Sequence, residues 1–155
     1  MMDHAQASLL DRLIDEDPGS SGESDQHRLL NARQVKAFVV RDLENLLNSR
    51  RPITQLPVQL RELNHSVATY GLKDFTAENT DSQKVRQLVR RDVEQTIARF
   101  EPRLKNVKVD LETGSKKERN LSFRISAMLV VDPIREPVAF DTYFDAIRKE
   151  YVVSG

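Results

Sequence analysis

The chain has 155 residues, no cysteine, and 24 Lys plus Arg balanced by 24 Asp plus Glu. A formal charge of zero supplies no bulk electrostatic pull towards nucleic acid or an anionic membrane. The missing thiols exclude a disulfide framework, a thiolate metal site and a cysteine nucleophile, and one domain of this size buries roughly 68–70% of its unfolded surface, enough for a two-layer core.

Asp3 and His4 precede only a short leucine cluster, unlike the basic start and continuous apolar run of a secretory signal. No apolar run reaches the roughly 18 residues of a membrane span, so a cytoplasmic address is expected. Ser8 to Ile14 reads as one or two helical turns, with Ser8 as N-cap, Asp11 three residues on, and Leu10, Leu13 and Ile14 on one stripe. The acidic, Ser- and Gly-rich stretch from Asp15 to Gln26 reads as a linker, so residues 1–28 form a flexible N-terminal arm carrying a short amphipathic segment. Leu9, Leu10 and Leu13 either fold back on their own domain or dock in a partner groove.

The folded domain is expected over residues 29–155. Asn31 and Gln34 make a capping-box pair, and Val35, Phe38, Val39, Leu43, Leu46 and Leu47 recur at helical spacing, which predicts a first core helix ending near Asn48. Arg50 and Arg51, ahead of Pro52, suit the negative end of its dipole. Leu60, Leu63, Val67 and Tyr70 form a less regular segment, read as a short helix with Gly71 as its left-handed cap. After a loop over Leu72–Asn79, Asp81 or Ser82 caps a third helix striped by Val85, Leu88, Val89, Val93, Ile97 and Phe100. Its other face, with Arg86, Arg90, Arg91, Glu94 and Arg99, reads as solvated.

Past residue 104 the period changes to two. Val107, Val109 and Leu111 alternate with charged residues, Gly114–Lys117 is a polar turn, and Leu121, Phe123, Ile125, Ala127 and Leu129 alternate again, which reads as a hairpin with one buried face. Pro133 and Pro137 bracket a loop. Val138, Phe140 and Thr142 start a third strand, and Glu150 to Val153 a fourth, with a short helix over Tyr143–Tyr151 as the alternative. Helices first and strands after predict an α+β domain, about three helices on one face of a small antiparallel sheet of three to four strands.

Chemistry concentrates where the third helix gives way to strand, at Phe100-Glu101-Pro102-Arg103-Leu104. Proline disfavours the helical region for the residue before it, so Glu101 leaves the helix, and residues two apart in extended chain share a side. Glu101 and Arg103 therefore form a charged pair. Glu101 is the only carboxylate with a claim to an apolar setting, but Arg103 opposes a proton-donating role and no second carboxylate is singled out, so no catalytic residue is assigned. His4, His27 and His65 are too scattered for a metal site, and no phosphate loop or other cofactor motif occurs. The basic pairs Arg50-Arg51, Arg90-Arg91 and Lys116-Lys117 lack interleaved aromatics, as solvated surface does and nucleic-acid sites do not.

The Glu-Pro-Arg core resembles the signature of the baseplate wedge family shared by tailed phages and bacterial type VI secretion systems. Further segments match in order: Ser8-Leu9-Leu10-Asp11-Arg12-Leu13, Arg41 through Arg51, Ser66-Val67 through Tyr70-Gly71-Leu72-Lys73-Asp74-Phe75, and Val138 through Thr142. Together they resemble the secretion branch, the TssE family, with Ser49 and Lys73 as departures from its usual Thr and Pro. The resemblance implies a structural, non-enzymatic baseplate component that links wedge proteins and nucleates the contractile sheath, at the cytoplasmic side of the inner membrane. Its implied partners are wedge proteins of the TssF, TssG and TssK types and sheath proteins of the TssB and TssC types. Glu101, Pro102 and Arg103 become the expected interface, joined by Leu9, Leu10, Leu13, Arg50 and Arg51; a lysozyme-like hydrolase or a general adaptor is the alternative.

Overall fold

The computed structural model describes residues 5–14, 29–52, 57, 59–75, 82–112, 122–145 and 147–155. At the start, β1 (Ala5–Gln6) pairs antiparallel with β2 (Leu29–Leu30), and between them lies α1 (Leu9–Leu13). The Ser8 hydroxyl accepts the Asp11 N–H and so caps α1 as its sequence position predicts. The expected linker over Asp15–Gln26 falls outside the described residues, as do the polar turn at Gly114–Lys117, Asp81 and Leu121.

The capping box of α2 (Ala32–Asn48) is complete: Asn31 Oδ1 accepts the Gln34 N–H at 2.9 Å and Gln34 Oε1 accepts the Asn31 N–H at 3.0 Å. This helix buries Val35, Val39, Leu43, Leu46 and Leu47. Helix α3 (Gln83–Phe100) buries Val89, Val93, Thr96 and Ile97, whereas Leu88 is exposed in a shallow groove beside Phe75 and Val85. Ser82 precedes α3 without a side-chain cap bond.

Four strands follow, β3 (Leu104–Leu111), β4 (Phe123–Val131), β5 (Ile134–Asp145) and β6 (Glu150–Ser154), all antiparallel and paired in chain order. Their inward residues, among them Leu104, Val109, Phe123, Ile125, Leu129, Val138, Phe140 and Val153, meet α2 and α3 in one core. Each such large side chain contributes roughly 1.5–3 kcal/mol by leaving water. The outer face keeps charge, as in the Arg124–Asp141 pair at 2.6 Å. Thr142 is the polar exception inside: its hydroxyl donates to the Phe123 carbonyl at 2.8 Å and accepts the Phe123 N–H at 3.2 Å, so its burial leaves nothing unsatisfied.

Two local readings are corrected, and one open alternative is decided. The segment after Pro57 is not an α-helix but two 3-10 turns, Arg61–His65 and Val67–Thr69. Ser66 donates to the Leu63 carbonyl and Thr69 to that of Asn64, and such side-chain bonds compete with a continuing helical ladder. No loop spans Pro133–Pro137: the chain turns at Asp132–Pro133 and Pro137 lies inside β5. Because β6 pairs only with Asp141–Asp145, β5 is an edge at Pro137, where a missing N–H is tolerated. The expected fourth strand is present as β6, paired with the end of β5, and not the alternative short helix: Asp145 accepts the N–H groups of Ile147 and Arg148, and Lys149 takes φ 57°.

Register in β3 shifts between Lys105 and Lys108, with Asn106 at φ 55° absorbing the bulge. Gly71 is constrained more severely. With φ 103° it delivers Leu72 to the end of α2, where the Leu72 N–H reaches the Ser49 carbonyl at 2.9 Å and the Arg51 N–H reaches the Leu72 carbonyl at 3.0 Å. A Cβ there would stand 2.5 Å from the Ser49 carbonyl oxygen. Gly71→Ala is therefore expected to cost about 1–3 kcal/mol in urea unfolding; an unchanged midpoint would remove this seam from the account.

Candidate protein-interaction site

The backbone around Glu-Pro-Arg is held from both sides. Glu101 caps α3 with its N–H on the Ile97 carbonyl at 2.8 Å, the Leu104 N–H closes back on the Glu101 carbonyl at 3.1 Å, and the Val130 N–H ties the Arg103 carbonyl to β4 at 2.8 Å. Pro102 stands exposed at the apex while Glu101 is only 4% exposed. The expected pair is present and bidentate: Arg103 Nε donates to Glu101 Oε1 at 2.6 Å and Nη2 to Oε2 at 2.7 Å.

The pair is part of a larger network. Arg103 Nη2 also donates to Asp42 Oδ2, and its Nη1 lies 3.8 Å from Asp11 Oδ2. Arg41 Nη2 donates to Asp11 Oδ1 at 2.7 Å and to Asp42 Oδ1 at 2.8 Å. Two guanidiniums thus meet three carboxylates drawn from α1, α2 and the end of α3. Tyr70 packs edge-on against Phe100, with ring centroids 5.2 Å apart, and burial together with the charges of Asp42 and Glu101 raises its pKa.

Burial by itself disfavours charge on Arg103, but hydrogen bonds and attraction from Glu101 and Asp42 outweigh it and raise its pKa further. For Asp11, burial pushes the carboxyl up, yet the bonds from Ser8 and Arg41 and the charges of Arg41 and Arg103 win, leaving it below its ordinary 3.8. Ser8 Oγ donates to Asp11 Oδ2 at 2.6 Å.

The other expected interface residues are distributed differently. Leu9, Leu10 and Leu13 are exposed, together with Ile14; the arm folds back on its domain through Asp11, buried Ala5 and the β1–β2 pair more than through its leucines. Arg50 Nη1 donates to the Leu47 carbonyl at 2.8 Å, the role expected at a helix C-terminus. Arg51 is paired with Asp92, whose second oxygen accepts the Lys73 N–H at 2.9 Å.

Sequence reasoning missed Asp11 and Asp42 as partners of Arg103, and Arg41 as the second cation they share, because nothing in local spacing brings α1 and α2 to the end of α3. It also missed the side chains that finish the sheet. Glu44 and Asn48 of α2 bond the Val153 N–H and both backbone groups of Tyr151, and Glu94 of α3 accepts the Val109 N–H. The visible signal was polar side chains interrupting core helices. Among the described residues no cluster of His, Cys, Asp and Glu is arranged to hold a metal, and no helix is long and apolar enough to cross a membrane.

The α+β scaffold thus locks its Glu-Pro-Arg turn to its first core helix. Residues 33–134 match the model of the family described as baseplate wedge protein gp25, and the chain belongs to that family. No curated protein matches the sequence. The matched residues contain Arg41, Asp42, Glu101 and Arg103, and leave Asp11 outside.

Arg103→Ala strands Glu101 in a nearly closed site and is expected to cost about 3 kcal/mol in denaturant unfolding. Arg103→Lys should recover only part, since an ammonium cannot reproduce the two-pronged bond. On the pH axis, a carboxyl held below 3.8 when docked contributes fully above that value and loses its contribution as pH falls through the docked pKa. Amide chemical shifts of Ala5–Ile14 should stay constant from neutral pH to about 4 and then move together to free-arm values, a step missing in Asp11→Asn.

Proposed function

We propose that this protein is a structural baseplate component of a type VI secretion system, joining wedge proteins of the TssF, TssG and TssK types and starting a sheath of TssB- and TssC-type subunits. The observation that carries the reading is the family match combined with the Glu-Pro-Arg turn, whose network ties the interface to the core. The assembly would sit at the cytoplasmic face of the inner membrane.

Within the contact, Pro102 fixes the turn, Glu101 aims Arg103, and Arg103 with Arg41 presents planar donors to acidic groups of a neighbour. Arg50, exposed past the end of α2, and Arg51, held by Asp92, offer a separate basic contact. Leu9, Leu10 and Leu13 form a second, apolar contact. A non-enzymatic role is supported by Glu101 itself, both of whose oxygens accept from Arg103.

For the sheath, β-augmentation requires an open edge. Asn48 and Glu44 occupy the outer backbone groups of β6 at Tyr151 and Val153, whereas Glu94 bridges only Val109 on the longer β3. This favours β3 as the edge that receives a sheath strand.

The test is a titration against the purified wedge and sheath components encoded with this protein, at fixed salt. Arg103→Ala, checked for its folded circular-dichroism spectrum, should weaken wedge binding by about 2 kcal/mol, and Arg103→Lys by less. Wild-type affinity in a folded Arg103→Ala protein returns the motif to helix termination.

A further inference from the structure

Arg103 has few donors left to offer. Its Nε and Nη2 are spent on Glu101 and Asp42, so the remaining nitrogen, Nη1, faces Asp11, which also takes a 2.7 Å bond from Arg41 Nη2. The Asp11 side chain is 1% exposed, yet it belongs to neither core helix nor sheet; it is brought in by the five-residue α1 of the arm. It occupies the position from which a carboxylate reaches both guanidiniums at once.

Charge makes this occupancy exclusive. With the arm docked, Arg41 and Arg103 face Asp11, Asp42 and Glu101, and a further carboxylate would enter a net negative site. With the arm lifted, two cations balance Asp42 and Glu101, and Arg41 Nη2 and Arg103 Nη1 each lose their contact with Asp11.

The docking of the arm is also light. A two-residue strand pair, buried Ala5, partly buried Ala7 and the Asp11 contacts hold it, while Leu9, Leu10, Leu13 and Ile14 remain 43–72% exposed. An element with so little apolar burial opens at low free energy, and five residues of helix have no stability of their own.

We propose that Arg41 and Arg103 form a carboxylate-receiving clamp that the chain's own Asp11 fills in the free protein and an acidic side chain of a neighbouring wedge subunit fills in the assembly. The arm is then a competing intramolecular ligand, and its release frees the leucine face together with the clamp. The inference rests on the reading that Arg103 is an interface residue. Asp11 lies outside residues 33–134, which match the family model.

The two ideas separate by sign. In titrations of the full chain with the purified TssF- and TssG-type components encoded with it, Asp11→Asn should tighten binding by about three- to tenfold, because the competent state is no longer a minority. Ser8→Ala, which removes the hydroxyl that orients Asp11 and leaves all charges in place, should shift affinity in the same direction by less. In the wild type, the amide shifts of Ala5–Ile14 should move away from their docked positions as the complex forms. Unchanged or weaker binding by Asp11→Asn, with Arg103→Ala still weakened, overturns the competing arm and leaves the interface standing. Unaltered binding by a folded Arg103→Ala protein overturns both.

Discussion

One guanidinium holds the architecture together. Arg103 follows α3 by three residues, is anchored through its backbone to β4, and reaches Glu101, Asp42 and the neighbourhood of Asp11 with its side chain. Helix, sheet and arm converge on it. An ammonium could satisfy the charge but not the geometry, because only a planar fork engages both oxygens of one carboxylate while turning a further N–H towards another. A pair this shielded is costly to desolvate and adds little net stability against an apolar substitute. Its value lies in position: it fixes where α2 stands relative to the end of α3.

The same economy of polar groups appears along the sheet. Glu44, Asn48 and Glu94 project from the core helices to backbone groups that the strand ladders leave unpaired. The helices therefore do two jobs, one with their apolar stripes and one with selected carboxylates and amides. In α2 the division is visible within a single segment. Leu43, Leu46 and Leu47 enter the core, Arg41 and Asp42 join the Arg103 network, Glu44 and Asn48 finish β6, and Arg50 closes the helix end.

Most of the framework was legible in the residue pattern. The Asn31–Gln34 box, the α2 and α3 stripes, the change to period two after Leu104 and the Glu101–Arg103 pair all follow from local spacing, and each is present. What escaped was set by contacts distant in sequence or by backbone detail. Arg103 lies 61 residues from Asp42, and no periodicity connects them. The 3-10 turns replace a helix because Ser66 and Thr69 bond locally, and Pro137 continues a strand because it happens to lie beyond the end of β6. The leucines of the arm pointed to burial, but Asp11, Ala5 and a two-residue strand pair do most of the docking, a choice that helical patterning cannot express.

The occupied edge of β6 has a consequence best put in the language of polymerisation. A sheet that accepts strands on both sides is bifunctional: copies can join edge to edge without limit, and the products have no defined origin. Asn48 and Glu44 obstruct the β6 side at Tyr151 and at the Val153 N–H, which biases addition towards the other. If β3 receives a sheath strand as proposed, such a unit would stand at the head of a row of added strands, and the row would take its direction from this first member.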